Sequence, residues 1–96
     1  MSIASKPRST EKQGQYLAFI WAYTQINARP PAERDLQHFF DVTAPSVHQM
    51  ILTLERAGFI RRQPGVPRSI EVLVPPEDLP VLQANIQPVK TSVTRY

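Results

Sequence analysis

Thr43, Ser46, His48 and Gln49 bring two hydroxyls, an imidazole and a primary amide to one end of a single amphipathic run. These groups form directional hydrogen bonds. A glutamine amide can pair bidentately with N6 and N7 of adenine, a hydroxyl can bond to a base or a phosphate, and an imidazole can donate to guanine or a phosphate. Further along lie Thr53, Arg56, Arg61, Arg62 and Arg68. Arginines suit phosphate oxygens, which place a protein on a duplex without reading its sequence. The two sets read as base readout by Thr43, Ser46, His48 and Gln49, and backbone contact by Thr53, Arg56, Arg61, Arg62 and Arg68. Plainer readings stand beside this one. Ser46 can cap a helix, His48 can be an ordinary surface residue, and Arg61 and Arg62 can lie across Glu71 as a surface ion pair of little energetic value.

The elements that must hold these residues are legible from spacing. Residues 44–57 predict a helix, with Pro45 in the first turn, where its missing N–H costs nothing. Gly58 falls just past the last turn, where a left-handed conformation is needed. Val47, Met50, Ile51 and Leu54 form an apolar stripe, while Pro45, Gln49, Thr53 and Arg56 point away from it. Leu52 also points outward and fits no such role. Asp41-Val42-Thr43 is a connection of helix-turn-helix length, with Val42 packing inward. A short helix over about residues 32–40 precedes it, with Leu36, Phe39 and Phe40 as its apolar face. Arg29-Pro30-Pro31 breaks the chain before that, because a residue ahead of proline is pushed out of the α region.

The first helix starts at Thr10, where Thr10-Glu11-Lys12-Gln13 fits a capping box, and fades near Asn27. Tyr16, Ile20 and Tyr23, with Phe19 beside them, are directed to the core. Leu17 and Trp21 form a neighbouring strip that is either the core's edge or a partner surface, since tryptophan is enriched at interfaces. Gly14 costs the first turn about 1 kcal/mol relative to alanine. After Gly58 the period becomes alternating: residues 59–63 and 69–74 predict two strands, with Ile70, Val72 and Val74 on one side. They flank the turn-rich tip Pro64-Gly65-Val66-Pro67-Arg68, which makes a wing over about residues 61–69. Pro75-Pro76 closes the unit, and residues 77–82 can form a helical turn. Val89, Thr91 and Val93 carry a weak strand signal in a segment that can cover a sheet edge, cross to a second subunit or stay loose. The architecture expected is mainly α with a small β-hairpin (α+β), a three-helix winged helix-turn-helix at residues 10–76. A basic arm at 1–9 and an extension at 77–96 flank it.

Composition removes several classes. The chain has 96 residues, 42% of them hydrophobic, which suits one modest domain. No apolar run nears the ~20 residues that span a bilayer, and the first residues lack a signal peptide's apolar centre. A soluble, cytoplasmic protein is expected. Without cysteine there is neither a disulfide framework nor a thiolate metal site. His38 and His48 have no metal-ligand spacing, and Gly14, Gly58 and Gly65 build no phosphate-cradling loop. No catalytic residue, metal, cofactor or small-molecule ligand is expected. The net charge is +3, and four arginines with no acid lie between residues 56 and 70, a basic stretch that favours an anionic partner.

The runs Ser46-Val47-His48-Gln49-Met50-Ile51 and Leu54-Glu55-Arg56-Ala57-Gly58-Phe59-Ile60 resemble the recognition helix and first wing strand of bacterial winged-helix regulators. Together with Arg29-Pro30-Pro31, the short second helix and Pro67-Arg68-Ser69-Ile70, they are most similar to the N-terminal DNA-binding domain of the LexA family, over about residues 10–76. The resemblance implies a recognition helix in the major groove and a wing at the backbone, and it implicates Thr43, Ser46, His48 and Gln49, with the wing around Arg68. The family's base-reading residues are not reproduced identically, so no operator carries over. LexA proteins also bear a self-cleaving C-terminal domain with a serine–lysine dyad and an Ala-Gly cleavage site. This chain ends at Tyr96, so that domain and cleavage-controlled derepression are not expected, and Ala57-Gly58 reads as a helix end. The expectation is sequence-specific binding of double-stranded DNA by a small transcriptional regulator. A homodimer follows, because one such module buries only ~600–1,000 Å² on DNA. The alternative is a winged-helix protein–protein interaction module, which the modest net charge and Leu17, Trp21 and Leu52 motivate.

Overall fold

A computed structural model describes residues 9–83. The basic arm up to residue 8 and the strand signal around Val89 lie outside the described residues.

The first helix, α1 (Glu11–Asn27), opens with the expected capping box: the Thr10 hydroxyl accepts from the Gln13 N–H at 3.1 Å, and the Gln13 side chain accepts from the Thr10 N–H at 2.9 Å. It ends at Ala28, whose backbone is left-handed (φ 61°) and whose N–H donates to the Thr24 carbonyl. Tyr16, Phe19 and Ile20 are buried and Tyr23 packs against them. The strip of Leu17 and Trp21 divides: Leu17 is 1% exposed and Trp21 37%.

α2 (Glu33–Phe40) is joined to α1 by its aromatic rings. Phe40 stacks on Tyr16 with centroids 4.3 Å apart, and Phe39 on Phe19 at 4.5 Å, pairs that add about 0.5–1.5 kcal/mol each beyond area burial. Leu36 is fully buried beneath them. Asp41 turns left-handed (φ 54°), and the Val42 N–H returns to the Gln37 carbonyl, so the chain reverses within three residues and Val42 packs on the core.

α3 (Ala44–Arg56) follows at once. Its cap is Thr43, whose hydroxyl accepts from the Ser46 N–H at 3.3 Å. Capping therefore falls to Thr43 and leaves the Ser46 side chain out of it. Val47, Ile51 and Leu54 are each 0% exposed, and burying such side chains contributes about 1.5–3 kcal/mol apiece. The far end closes with two carbonyls satisfied: the Phe59 N–H donates to Leu54 and the Gly58 N–H to Glu55, both at 3.0 Å. Gly58 sits at φ 84° with nothing within 4 Å of where a Cβ would stand, so glycine is there for backbone freedom alone.

The hairpin is shorter than the alternation predicts. β1 (Ile60–Arg61) pairs antiparallel with β2 (Glu71–Val72), Ile60 opposite Val72 and Arg61 opposite Glu71. Pro64 and Pro67 lack the N–H groups a longer ladder needs. Ile70, Val72 and Val74 still face the core together. Beyond the proline pair the helical turn is a 3-10 turn at Pro76–Asp78. The chain then returns along α1. The Gln15 amide donates to the Val81 carbonyl at 2.9 Å and accepts from the Gln83 N–H at 2.7 Å, while Leu79 and Leu82 pack on the core. Pro80 explains Gly14: a Cβ there would stand 3.0 Å from the proline ring. Packing thus continues past Pro75-Pro76, where the sequence alone suggests closure.

One polar cluster ties wing, α1 and α2 together. Arg68 donates to Asp35 Oδ2 at 3.0 Å and to the Tyr23 hydroxyl at 3.2 Å, and Asp35 Oδ2 also accepts from the Ala32 N–H at 2.8 Å. Burial alone would raise the Asp35 carboxyl, but the Ala32 N–H, the Arg68 guanidinium and the Tyr23 hydroxyl together hold it below its ordinary value of 3.8.

Two stability tests follow from the left-handed positions and this cluster. Gly58→Ala should cost about 1–2 kcal/mol, whereas Ala28→Gly should gain about 0.5–1 kcal/mol. Denaturant melts that move both variants in one direction would contradict the backbone explanation. Asp35→Asn should cost about 1.5–3 kcal/mol at neutral pH, the range for a hydrogen bond to a charged group. Because the folded carboxyl titrates below the unfolded one, its stabilisation is full above the unfolded value and lost as pH falls through the folded one. The melting-temperature gap between wild type and Asp35→Asn should therefore close on acidification below about pH 4. A gap that stays constant to pH 2 would rule the ion pair out as its source.

Candidate nucleic-acid interface

The stripe that buries Val47, Ile51 and Leu54 turns the opposite face of α3 to solvent. Ala44, Pro45, Ser46, His48 and Gln49 are all exposed. Among the described residues the Ser46 hydroxyl and the Gln49 amide make no hydrogen bond, so both are free for an outside partner. The Thr43 hydroxyl accepts at the helix start and keeps its own proton to donate. His48 Nδ1 lies 3.5 Å from Glu33 Oε1, an ion pair only when the imidazole is protonated. The contact also sets the first turn of α2 beside the second turn of α3. Thr53 is turned along its own helix, donating to the Gln49 carbonyl at 2.9 Å. Leu52 is half-buried beside this face and outside the core cluster.

The arginines behave differently from the uninterrupted basic stretch seen in the sequence. Acids from other elements meet three of the four. Arg61 Nε is 2.7 Å from Glu71 Oε1, across the hairpin; both side chains are more than half exposed, so the pair holds them loosely. Arg62 Nε is 3.1 Å from Glu55 Oε1, with its side chain only 18% exposed. Arg68 is held by Asp35 and Tyr23. Arg56 alone among the four is exposed and in no ion pair among the described residues. Arg34, in the first turn of α2, has the same freedom. It is absent from the sequence-derived set because a helical wheel of α3 cannot show that α2 starts beside it. Asp35 and Tyr23 are absent for a related reason: their partner is 33 and 45 residues away.

Charge is distributed to match. Four of the 11 basic residues (Lys6, Arg8, Lys90 and Arg95) lie outside the described residues and all eight acids lie inside, which leaves residues 9–83 at a net −1. The overall +3 resides in the terminal segments of the sequence. Among the described residues no helix is long and apolar enough to cross a membrane, and no group of three or more His, Asp or Glu is placed to hold a metal ion.

Comparison with known proteins covers the three helices, the tight turn and the first strand. The family model described as LexA DNA binding domain matches residues 7–69. The LexA repressor of Thermosipho africanus is 36% identical over 72 residues, 75% of this chain and 36% of that protein. That of Thermosipho melanesiensis is 39% identical over 64 residues, covering 67% and 32%. The LexA repressor of Zymomonas mobilis is 35% identical over 78 residues, covering 80% and 36%. The chain spans about a third of the length of these relatives. The matched stretch holds all of α1, α2, α3 and β1, and on both fold and sequence the chain belongs to the LexA DNA binding domain family.

Proposed function

We propose that this chain binds double-stranded DNA sequence-specifically, as the DNA-reading part of a bacterial transcriptional regulator working in the cytoplasm. The observation that carries this reading is the exposed row of Ser46, His48 and Gln49, with the Ser46 and Gln49 side chains making no hydrogen bond among the described residues, opposite a stripe of Val47, Ile51 and Leu54 that is fully buried. Gln49 is the residue we assign to adenine, with Ser46, His48 and Thr43 bonding to neighbouring bases or phosphates. Arg56 and Arg34 are in no ion pair among the described residues and suit phosphate contact; Arg61 can exchange its exposed partner for a phosphate. Thr53 contributes at most a lateral contact, since its hydroxyl serves the helix. A single module of this size gives limited DNA contact, so we infer that two copies act together on paired half-sites.

With about two to four phosphates neutralised per subunit, log K should fall against log salt with a slope of about −2 to −4. A gel-shift titration on duplex selected from a random pool tests this. Gln49→Ala should cost about 1–3 kcal/mol on the selected site and little on scrambled DNA; equal loss on both would contradict base readout. Absence of binding even at about 50 mM salt would sink the DNA reading. It would favour the second reading, a winged helix used for protein contact, for which the net −1 of residues 9–83 and the exposed Trp21 speak.

A further inference from the structure

Arg68 is the arginine that the sequence marks most directly for phosphate, standing at the base of the wing tip. Its surroundings are those of a different kind of residue. One guanidinium nitrogen, Nη1, holds both the Asp35 carboxylate at 3.0 Å and the Tyr23 hydroxyl at 3.2 Å. The Asp35 oxygen it uses is itself fixed by the Ala32 N–H, and the pair is mostly shielded, with side-chain exposures of 31% and 24%. The Arg68 backbone is left-handed at φ 57°, a conformation that an arginine keeps only when its surroundings impose it. The next residue locks the tip: the Ser69 hydroxyl accepts from the Gln63 N–H and donates to the Val66 carbonyl. Wing, α1 and α2 therefore converge on one side chain. α2 in turn lies against α3, with Glu33 beside His48.

We propose that Arg68 is a positioning residue, which through Asp35 and Tyr23 sets the wing relative to α3, and that it is not a phosphate contact. The proposal rests on the DNA-binding reading above. It is separable from a phosphate role because the two predict opposite signs at Asp35. If Arg68 served phosphate, Asp35 would compete for it, and neutralising that acid would tighten binding and steepen the salt dependence. If Asp35 sets Arg68, neutralising it lets the wing move, and binding weakens.

The test measures affinity for the selected duplex across a salt series for wild type, Asp35→Asn, Arg68→Ala, Arg68→Lys, Tyr23→Phe and the double variant Asp35→Asn with Arg68→Ala. Circular dichroism melts fix the folded fraction of each. Asp35→Asn and Arg68→Ala should each weaken binding about tenfold, and the double variant about as much as either alone, because the two act as one unit. The salt slope should stay within about 0.3 of wild type, and Arg68→Lys should not rescue, since its ammonium nitrogen stands one bond nearer the backbone than Nη1 and lacks the planar group that aims Nη1 at both partners. Tyr23→Phe keeps the ring in the core and removes only the hydroxyl; about threefold weakening is expected. A loss of about one unit of slope in Arg68→Ala, rescue by Arg68→Lys and tighter binding by Asp35→Asn would overturn the proposal while leaving the function intact. Failure of the wild type to bind at about 50 mM salt would remove the function itself, and this proposal with it.

Discussion

Complete burial of Val47, Ile51 and Leu54 is the constraint from which the rest of this structure follows. Three side chains at helical spacing cannot all leave water unless α3 lies in a single rotation about its axis. That rotation is what presents Ser46, His48 and Gln49 as an exposed row. The two ends keep the helix from sliding or fraying. Thr43 caps the start, and Gly58 with Phe59 closes the finish by satisfying the Leu54 and Glu55 carbonyls. Leu54 and Phe59 also belong to the core cluster, so the turn that ends the helix is itself packed.

Electrostatics work locally in this fold, and the described residues carry no general excess of positive charge. Glu55, Glu71 and Asp35 each take an arginine from the stretch that looks uniformly basic in sequence. These pairs differ in kind. The Arg61–Glu71 pair is open to water and holds little. The Arg68–Asp35 pair is sheltered, shares an oxygen with a backbone N–H, and joins elements distant in sequence. Among the described residues the exposed cations in no ion pair, Lys12, Arg29, Arg34 and Arg56, are spread over separate elements, while the exposed hydrogen-bonding groups Ser46, His48 and Gln49 gather near the start of α3.

Much of the fold was legible because its signals are short-ranged. The Thr10 capping box, the stop after Asn27, the three-residue turn and the glycine stop after α3 each depend on residues within a few positions of one another. So does the apolar stripe of α3, and the hairpin's inward face of Ile70, Val72 and Val74. The exposed face of α3, with Ser46, His48 and Gln49 on it, was legible for the same reason. The terminal strand signal near Val89 lies outside the described residues, as do residues 1–8 of the arm and 84–96 of the extension.

The sequence by itself determined where helices begin and end, which side of α3 is apolar and which residue types stand on the other. Tertiary structure decided the rest. It put Leu17 inside and left Trp21 at the surface, brought Pro80 onto Gly14, and gave the capping role to Thr43. It also turned a run of arginines into ion-paired residues with different tasks. The physical reason is one of range. Periodicity, caps and left-handed turns are properties of neighbouring residues, whereas the state of a charge depends on which opposite charge the fold brings within about 4 Å, and for Arg68 that partner comes from 33 residues earlier in the chain.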